Sequence, residues 1–345
     1  MSKVSIQIVT WNSLKFLPDC LESIFNQTYK DFSILVIDNA SNDGTIEFLR
    51  KNYPQIKILR NNKNLGFARA HNQGIKLSQG ADYIFIINPD IILEKDFLEK
   101  ILKIIEKDKK IGAISGKLLK IYTSEPEINE KVKTKIIDST GLKIFKSRRI
   151  IDRGEGELDQ KQYEKIEEVF GLSGACLLLR LAALEDIKLK IENCKLKICE
   201  EYFDEDFFSY KEDIDLSWRL RLFGWKIIYF PEAIAYHYRQ VFGTKNKIKE
   251  IIKRRREKSP LVNYLSYRNH LFCLIKNDFL INFLKDLPFI LFYEFKKFLY
   301  LIFFEQKTLK AILEVFKKLP KMLKKRKYIM KNKKIFPKEI KKWME

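Results

Sequence analysis

Short apolar runs at residues 4–9, 32–37, 57–59 and 83–87 alternate with segments whose apolar residues recur at helical spacing. A chain patterned this way is confined to βαβ units, and hence to a mostly parallel sheet covered by helices on both faces. A helix is expected after Asn12 or Ser13 as cap, with Leu17, Leu21, Ile24 and Phe25 on one face. Further helices are expected from Thr45, over 67–77, and over 96–107 with Phe97, Ile101, Leu102 and Ile105 inward. Beyond residue 120 the pattern is less regular. Residues 121–168 read as loops and edge structure, 169–179 as a buried strand interrupted by glycines, 213–223 as a helix stopped by Gly224, and 227–230 and 234–237 as the last strands.

Acidic residues punctuate this pattern. Asp38 and Asp90 each follow an apolar strand, and Asp213 opens the helix that begins Glu212-Asp213-Ile214-Asp215. A carboxylate at the end of a buried strand is costly unless it faces a cleft, and open α/β sheets bind ligands at the carboxyl ends of their strands. The three acids therefore point to one cleft.

The chain of 345 residues is long enough for a full α/β core plus an extension, and its net charge of +21 is concentrated in that extension. Residues 241–345 hold about 28 Lys and Arg against about 9 Asp and Glu, while the first 240 are close to balanced. The five cysteines, Cys20, Cys176, Cys194, Cys199 and Cys273, show no Cys-x-x-Cys spacing and no even count, which fits a reducing cytosol. The N-terminus runs straight into a strand without a signal-like apolar stretch. In the tail the uncharged apolar runs reach only about seven residues, against the roughly 20 a spanning helix needs. Phosphate-loop and dinucleotide glycine motifs are absent.

Thr10-Trp11-Asn12, residues 36–45, residues 64–74, Asn88-Pro89-Asp90, residues 171–176 and Glu212-Asp213-Ile214-Asp215-Leu216 together, in this order, resemble glycosyltransferase family 2, most closely its rhamnosyltransferase-like branch. The resemblance covers residues 3 to about 240, and Tyr267-Arg268-Asn269-His270 resembles a segment that follows the catalytic domain in that branch. It implies a GT-A catalytic domain over 1–240: an α/β fold with a mostly parallel sheet flanked by helices. A basic, aromatic-rich helical extension over 241–345 would follow.

It implies inverting transfer of a sugar from a nucleoside-diphosphate donor to a glycan or lipid-linked glycan, in surface polysaccharide synthesis. Rhamnose is the favoured sugar, with UDP-hexose or UDP-N-acetylhexosamine donors as the alternative. Thr10, Asn12, Asp38, Asn39, Arg69 and Asn88 would bind the donor nucleotide. Gly171, Gly174 and Ala175 would line the donor or acceptor sugar, and Asp213 would be the catalytic base with Glu212 beside it. Asp90 and His237 would hold a divalent metal, Mg or Mn, although Asn88 stands where the family often has a second aspartate.

Several residues have other readings. Asp38, Asn39 and Ser41 also suit an Asx-type turn, and Glu212, Asp213 and Asp215 also suit the acidic first turn of a helix. Arg69 could be a solvated arginine or, with free backbone N–H groups at the start of its helix, a diphosphate contact. The tail helices fit an anionic membrane surface at the inner face of the cell membrane, or packing on the catalytic domain or on a second subunit, and the basic stretch 321–342 could be a solvated helix. A non-catalytic membrane- or nucleic-acid-binding protein is the alternative of another class, but no nucleic acid partner is expected, because no recognition motif is present.

Overall fold

The computed structural model describes residues 2–123, 131–192, 198–238, 255 and 259–345. The run of charge at 253–256, apart from residue 255, Cys194, and the boundary expected at 240/241 lie outside the described residues, as does the middle of the 185–202 stretch. The chain begins with β1 (Val4–Thr10), α1 (Leu17–Phe25), β2 (Phe32–Asp38), α2 (Thr45–Asn52), β3 (Lys57–Arg60), α3 (Gly66–Leu77), β4 (Tyr83–Ile87), β5 (Ile91–Leu93) and α4 (Phe97–Lys107). It continues through β6 (Ile111–Thr123), β7 (Lys131–Ser139), β8 (Leu142–Ile144), β9 (Ile150–Asp152), β10 (Glu167–Glu168), β11 (Cys176–Arg180), α5 (Leu181–Ile187), β12 (Leu189–Glu192) and β13 (Ile198–Glu201). α6 (Glu212–Leu222) and β14 (Lys226–Tyr238) complete the first part. The C-terminal helices are α7 (Pro260–Asn277), α8 (Leu280–Lys285), α9 (Leu287–Phe304), α10 (Lys310–Asn332) and α11 (Pro337–Lys341).

The central sheet runs in the order β10-β14-β6-β11-β4-β1-β2-β3. Strands β4, β1, β2 and β3 are parallel, as are β6 and β14, and β11 is inserted antiparallel between β4 and β6. The sheet therefore has the mixed, mostly parallel α/β form expected. Side-chain alternation divides the interior in two. From β4, Phe85 and Ile87 enter a core with α1 and α4, and Ile84 and Ile86 enter a core on the other face with α6, α7, α10 and α11.

That second core changes the reading of the tail. Phe272, Val315, Met322, Ile329 and Ile340 are buried in the same cluster as Ile84, Leu179 and Trp218, so most of the C-terminal helices are built into the catalytic body. Charge follows the same plan. Lys276 of α7 is fully buried and pairs with Asp204 and, at 2.8 Å, with Asp215. Lys325 of α10 is equally buried against Asp204, Asp206 at 2.7 Å and Glu201 at 3.1 Å. Within the basic stretch 321–342, then, Lys325 is a core residue rather than a solvated one. Burial pushes the Asp204 carboxyl up, but Lys276 and Lys325 outweigh it and hold the group well below the usual carboxylate range. Among the described residues no helix is long and apolar enough to cross a membrane.

Three local expectations are corrected. α1 starts at Leu17 rather than after Asn12 or Ser13, with Pro18 in its first turn; Asn12 has φ +51° and bonds across to the next βα loop instead. The 121–168 stretch contains the rest of β6, the nine-residue β7 and the β8–β9 hairpin. The two last strands are one, β14, which shifts register beside β6 between Phe230 and Ile234. Gly116 permits that shift, since a Cβ there would lie 2.0 Å from the Ala233 carbonyl oxygen.

Candidate active site

Parallel pairing puts Thr10 opposite Asp38 at the carboxyl ends of β1 and β2. Thr10 Oγ1 donates to Asp38 Oδ1 at 3.0 Å, the Ser41 amide donates to Oδ2 at 3.0 Å, and Arg60 Nε lies 4.0 Å from Oδ2. Asp38 is thus fully buried in an Asx-type turn, so the turn reading is realised at this residue. Asn39 holds the neighbouring loops: its amide donates to the Thr10 carbonyl at 2.8 Å and its side chain to the Gly66 carbonyl at 3.3 Å. The Asn12 amide donates to Ser41 Oγ at 2.9 Å, and Asn12 Oδ1 accepts from the Asn42 amide at 2.9 Å. Arg69 is more than half exposed and lies 3.7 Å from Glu205.

The N–H groups expected to be free at the start of α3 are occupied. Gly66 donates to Asn64, Phe67 to Ser209 Oγ and Ala68 to the Phe208 carbonyl. Those of Phe67 and Ala68 bond the loop that precedes Asp213, and Gly66 is needed because a Cβ would meet that Phe208 oxygen at 2.4 Å.

The second half of the site is joined by main-chain contacts. The Asn88 amide, just past β4, donates to the Ala175 carbonyl at 2.8 Å, and the Gly174 amide donates to Asp213 Oδ2 at 3.1 Å. Asp213 also accepts at Oδ1 from the Ile214 amide at 2.8 Å and remains partly exposed. Asn88, Gly174, Ala175 and Asp213 therefore converge. At Gly171 the close approach is by protein, because a Cβ would lie 2.6 Å from that of Ser217 on α6.

The two carboxyls at the start of α6 are unlike each other. Glu212 is buried, its Oε2 has no hydrogen-bond partner, and burial together with the Asp213 charge pushes its pKa well above the usual range. The surroundings of Glu212 thus favour its protonated form, and Asp213, partly exposed, is the carboxyl of the pair placed to accept a proton. Asp215 is fully committed to Arg219, Lys276 and Asn277.

The loop before them carries three non-glycine residues in the left-handed region, Phe208 (φ +65°), Tyr210 (φ +70°) and Lys211 (φ +70°). Asn269 of α7 clamps it, donating from Nδ2 to the carbonyls of Phe207, Ser209 and Tyr210 at 2.9, 2.9 and 2.7 Å. Arg268 adds bonds to the Asp206 and Phe207 carbonyls. The Tyr267–His270 motif thus acts on the site from behind, a role its sequence alone does not reveal.

His237 on β14 is buried, with Nε2 3.3 Å from Asp90 Oδ2 and Nδ1 2.8 Å from Asp138 Oδ2. Burial pulls the imidazole pKa down, but Asp138 and Asp90 prevail and it is pushed up to about 9. Among the described residues no group of three or more His, Cys, Asp or Glu side chains could hold a metal ion. The donor set present is Asp90 and His237 side by side, with Asp138 orienting the far ring nitrogen. Two donors are too few to fix an ion by themselves, so a divalent ion there would have to take its remaining ligands from substrate phosphates and water. Asp138 was not singled out from sequence; the signal available was an acid flanked by apolar and small residues in Ile136-Ile137-Asp138-Ser139.

The chain is similar in sequence and in fold to known proteins. The chain is 28% identical over 247 residues to N-acetylglucosaminyl-diphospho-decaprenol L-rhamnosyltransferase of Mycobacterium tuberculosis (strain CDC 1551 / Oshkosh), covering 67% of this chain and 74% of that protein. It is 28% identical over 265 residues to a Methanococcus voltae dolichyl N-acetyl-alpha-D-glucosaminyl phosphate 3-beta-D-2,3-diacetamido-2,3-dideoxy-beta-D-glucuronosyltransferase, covering 73% of this chain and 70% of that one. A poly-beta-1,6-N-acetyl-D-glucosamine synthase of Staphylococcus epidermidis is 25% identical over 68% of this chain and 49% of its own length. In fold, a crystal structure of GalNAc-T7 with UDP, GalNAc and Mn2+ superimposes with a TM-score of 0.57 at 13% identity, over 79% of this chain and 48% of that one. The model of Glycosyl transferase family 2 matches residues 5–187, which hold Asp38, Asp90 and Gly174. With this match over more than half of the chain and a mixed, mostly parallel sheet, the chain belongs to glycosyl transferase family 2 and is a glycosyltransferase of the GT-A fold.

Proposed function

We propose that this enzyme transfers rhamnose from a nucleoside-diphosphate donor to a hydroxyl of a lipid-linked glycan, with inversion, during assembly of a surface polysaccharide. The observation that carries the reading is the hydrogen-bonded convergence of Asp213 with Gly174, Ala175 and Asn88, beside Asp90. Asp213 takes the proton of the acceptor hydroxyl as that oxygen attacks the anomeric carbon from the face opposite the diphosphate. The bond from that carbon to the phosphate oxygen breaks and its electron pair leaves with the diphosphate. One base suffices and no enzyme nucleophile is required.

Asp38, fully buried and bonded to Thr10 and the Ser41 amide, serves the donor nucleotide in this reading by fixing the loops after β1 and β2, with Asn12, Asn39 and Arg69 around it. Gly174 and Ala175 hold Asp213 and Asn88 together beside the sugar, and Gly171 packs behind them against Ser217 of α6. Magnesium or manganese, held by Asp90 and His237, would offset charge on the leaving diphosphate. The rhamnosyltransferase and the dolichyl-linked enzyme among the relatives support the acceptor class. A lipid-linked acceptor also implies peripheral residence at the inner face of the cell membrane.

The second reading, a UDP-linked hexose or N-acetylhexosamine donor, draws on the poly-N-acetylglucosamine synthase relative. Thermal shift with thymidine- and uridine-diphosphate sugars, with and without manganese or magnesium, decides between them, because ligand binding raises native stability by mass action. Metal-dependent stabilisation by a thymidine-linked sugar supports rhamnose. Stabilisation by uridine-linked sugars alone refutes it.

A further inference from the structure

Helix α9 is inside out. Of its 18 residues only Ile290 and Leu301 are buried, although nearly all the rest are Phe, Leu, Ile or Tyr. Two of its polar side chains, Glu294 and Lys297, face the protein instead. Glu294 accepts from Tyr267 at 3.2 Å and lies 2.8 Å from His270 Nε2, both on α7, and Lys297 sits 4.7 Å from the centre of the Tyr267 ring. On the opposite side Phe292, Phe295, Leu299 and Phe303 form a continuous seam at helical spacing, with the three phenylalanines 63%, 60% and 70% exposed. The preceding α8 repeats the inversion: Asn282 is buried against the Pro337 carbonyl, while Leu280, Ile281 and Leu284 face outward. Beside the seam an open cavity of about 580 Å³, lined by Tyr267, Leu291, Phe292, Glu294, Phe295 and Phe298, has room for a hydrocarbon chain.

An exposed apolar surface of this kind needs a partner. The charge around it selects which one. Lys285, Lys296, Lys307 and Lys310 are exposed. The acids between them are neutralised inward: Asp286 by Arg148 and Lys341, Glu305 by Arg255, and Glu294 at its contacts with α7. A second copy would bring another basic rim against this one, whereas anionic lipid headgroups bring the opposite sign.

We infer that α8 and α9 form an in-plane membrane platform, their outward apolar seam inserted at the boundary between headgroups and acyl chains of an anionic bilayer. The inference rests on the proposed lipid-linked acceptor only for its link to catalysis. That link is short, because α7 contacts α9 through Tyr267 and His270 and clamps the loop before Asp213 through Arg268 and Asn269. The platform would thereby set the catalytic carboxylate at a fixed height above the membrane, within reach of a glycan on an embedded lipid.

The test is flotation with vesicles of phosphatidylcholine plus phosphatidylglycerol and of phosphatidylcholine alone. It compares the full chain with a Phe292→Ser, Phe295→Ser, Phe303→Ser variant, and transfer to a water-soluble acceptor is measured in parallel. The wild type should float with the mixed vesicles, and the variant should lose at least about tenfold in partitioning with its melting temperature and soluble-acceptor transfer unchanged. Should that variant fold poorly, Lys285→Glu with Lys296→Glu and Lys307→Glu should weaken flotation on the anionic vesicles in particular. Failure of the wild type to float, equal flotation of a folded variant, or a wild-type dimer that the variant converts to monomer while flotation persists would each overturn the platform. Absence of transfer to any acceptor in the wild type would instead count against the proposed reaction, and flotation would still be read on its own.

Discussion

Asn269→Ala should loosen the loop before Asp213 and slow transfer more than it weakens donor binding. The amide has two N–H groups directed at three carbonyls, at 2.7 to 2.9 Å, and its orientation is fixed because Asn269 Oδ1 accepts from Arg268 Nε at 3.0 Å. Two bonds at about 1 kcal/mol each, plus about 1 kcal/mol for carbonyls left without a partner, put the loss near 3 kcal/mol. Alanine in the helix returns about 0.5 kcal/mol, leaving roughly 2.5 kcal/mol. Against this stand Phe208, Tyr210 and Lys211, whose left-handed backbones cost on the order of 1 kcal/mol apiece and relax once the clamp is gone. Restraint and strain are of similar size, so the loop should spend much of its time away from the catalytic geometry. With about 1.4 kcal/mol per decade, kcat should fall by about tenfold or more while KM for the donor stays near its wild-type value. Initial-rate kinetics and a melting curve read both effects. An unchanged kcat in a variant with a lowered melting temperature would show the clamp to be structural only, and an unchanged melting temperature would refute the hydrogen-bond accounting.

Asp213→Asn should abolish transfer while preserving donor binding, measured by product formation beside a nucleotide thermal shift; full activity would remove Asp213 from the role of base. Glu212 has a pKa raised on folding, so its contribution to stability is present below the unfolded carboxyl pKa and is lost as pH rises toward the folded value. Glu212→Gln should therefore melt higher than wild type at neutral pH, with the gap closing as pH falls to about 4; a gap that is the same at both pH values would refute the buried-proton assignment. Lys325→Met leaves buried carboxylates without their partner and should cost about 3–5 kcal/mol, seen as a lower urea midpoint, whereas a neutral effect would mean the cluster sheds its charge by protonation.

Much of this was legible from periodicity. β1, β2, β4, α3, α4 and α6 lie where the apolar spacing puts them, and Asp38, Asp90 and Asp213 sit at element ends as expected. What escaped was set by partners distant in sequence. Lys131–Ser139 reads as polar loop because Lys131, Lys133 and Lys135 line the exposed face of this strand and dominate its composition, although Val132, Thr134 and Ile136 alternate with them. The α3 amides appeared available because the loop at 208–209 that occupies them comes about 140 residues later. Lys276 and Lys325 look like surface residues in any local window; only the meeting of Asp204, Asp206 and Asp215 across the fold makes them interior ones. Asp138 and Asn269 belong to the same class, since each acts through contacts that no local pattern encodes.

The buried lysines also bear on when the enzyme comes alive during synthesis. As the chain leaves the ribosome, Asp204, Asp206 and Asp215 emerge long before α10 delivers Lys325, and until then the interior beneath α6 lacks both its counter-charges and the apolar side chains of Met322 and Ile329. A nascent or prematurely terminated product that stops short of α10 would carry Asp38, Asp90, Asp213 and His237 and yet lack the packed base on which α6 sets Asp213. The support beneath Asp213 is thus completed only after a helix that follows it well along the chain has been made.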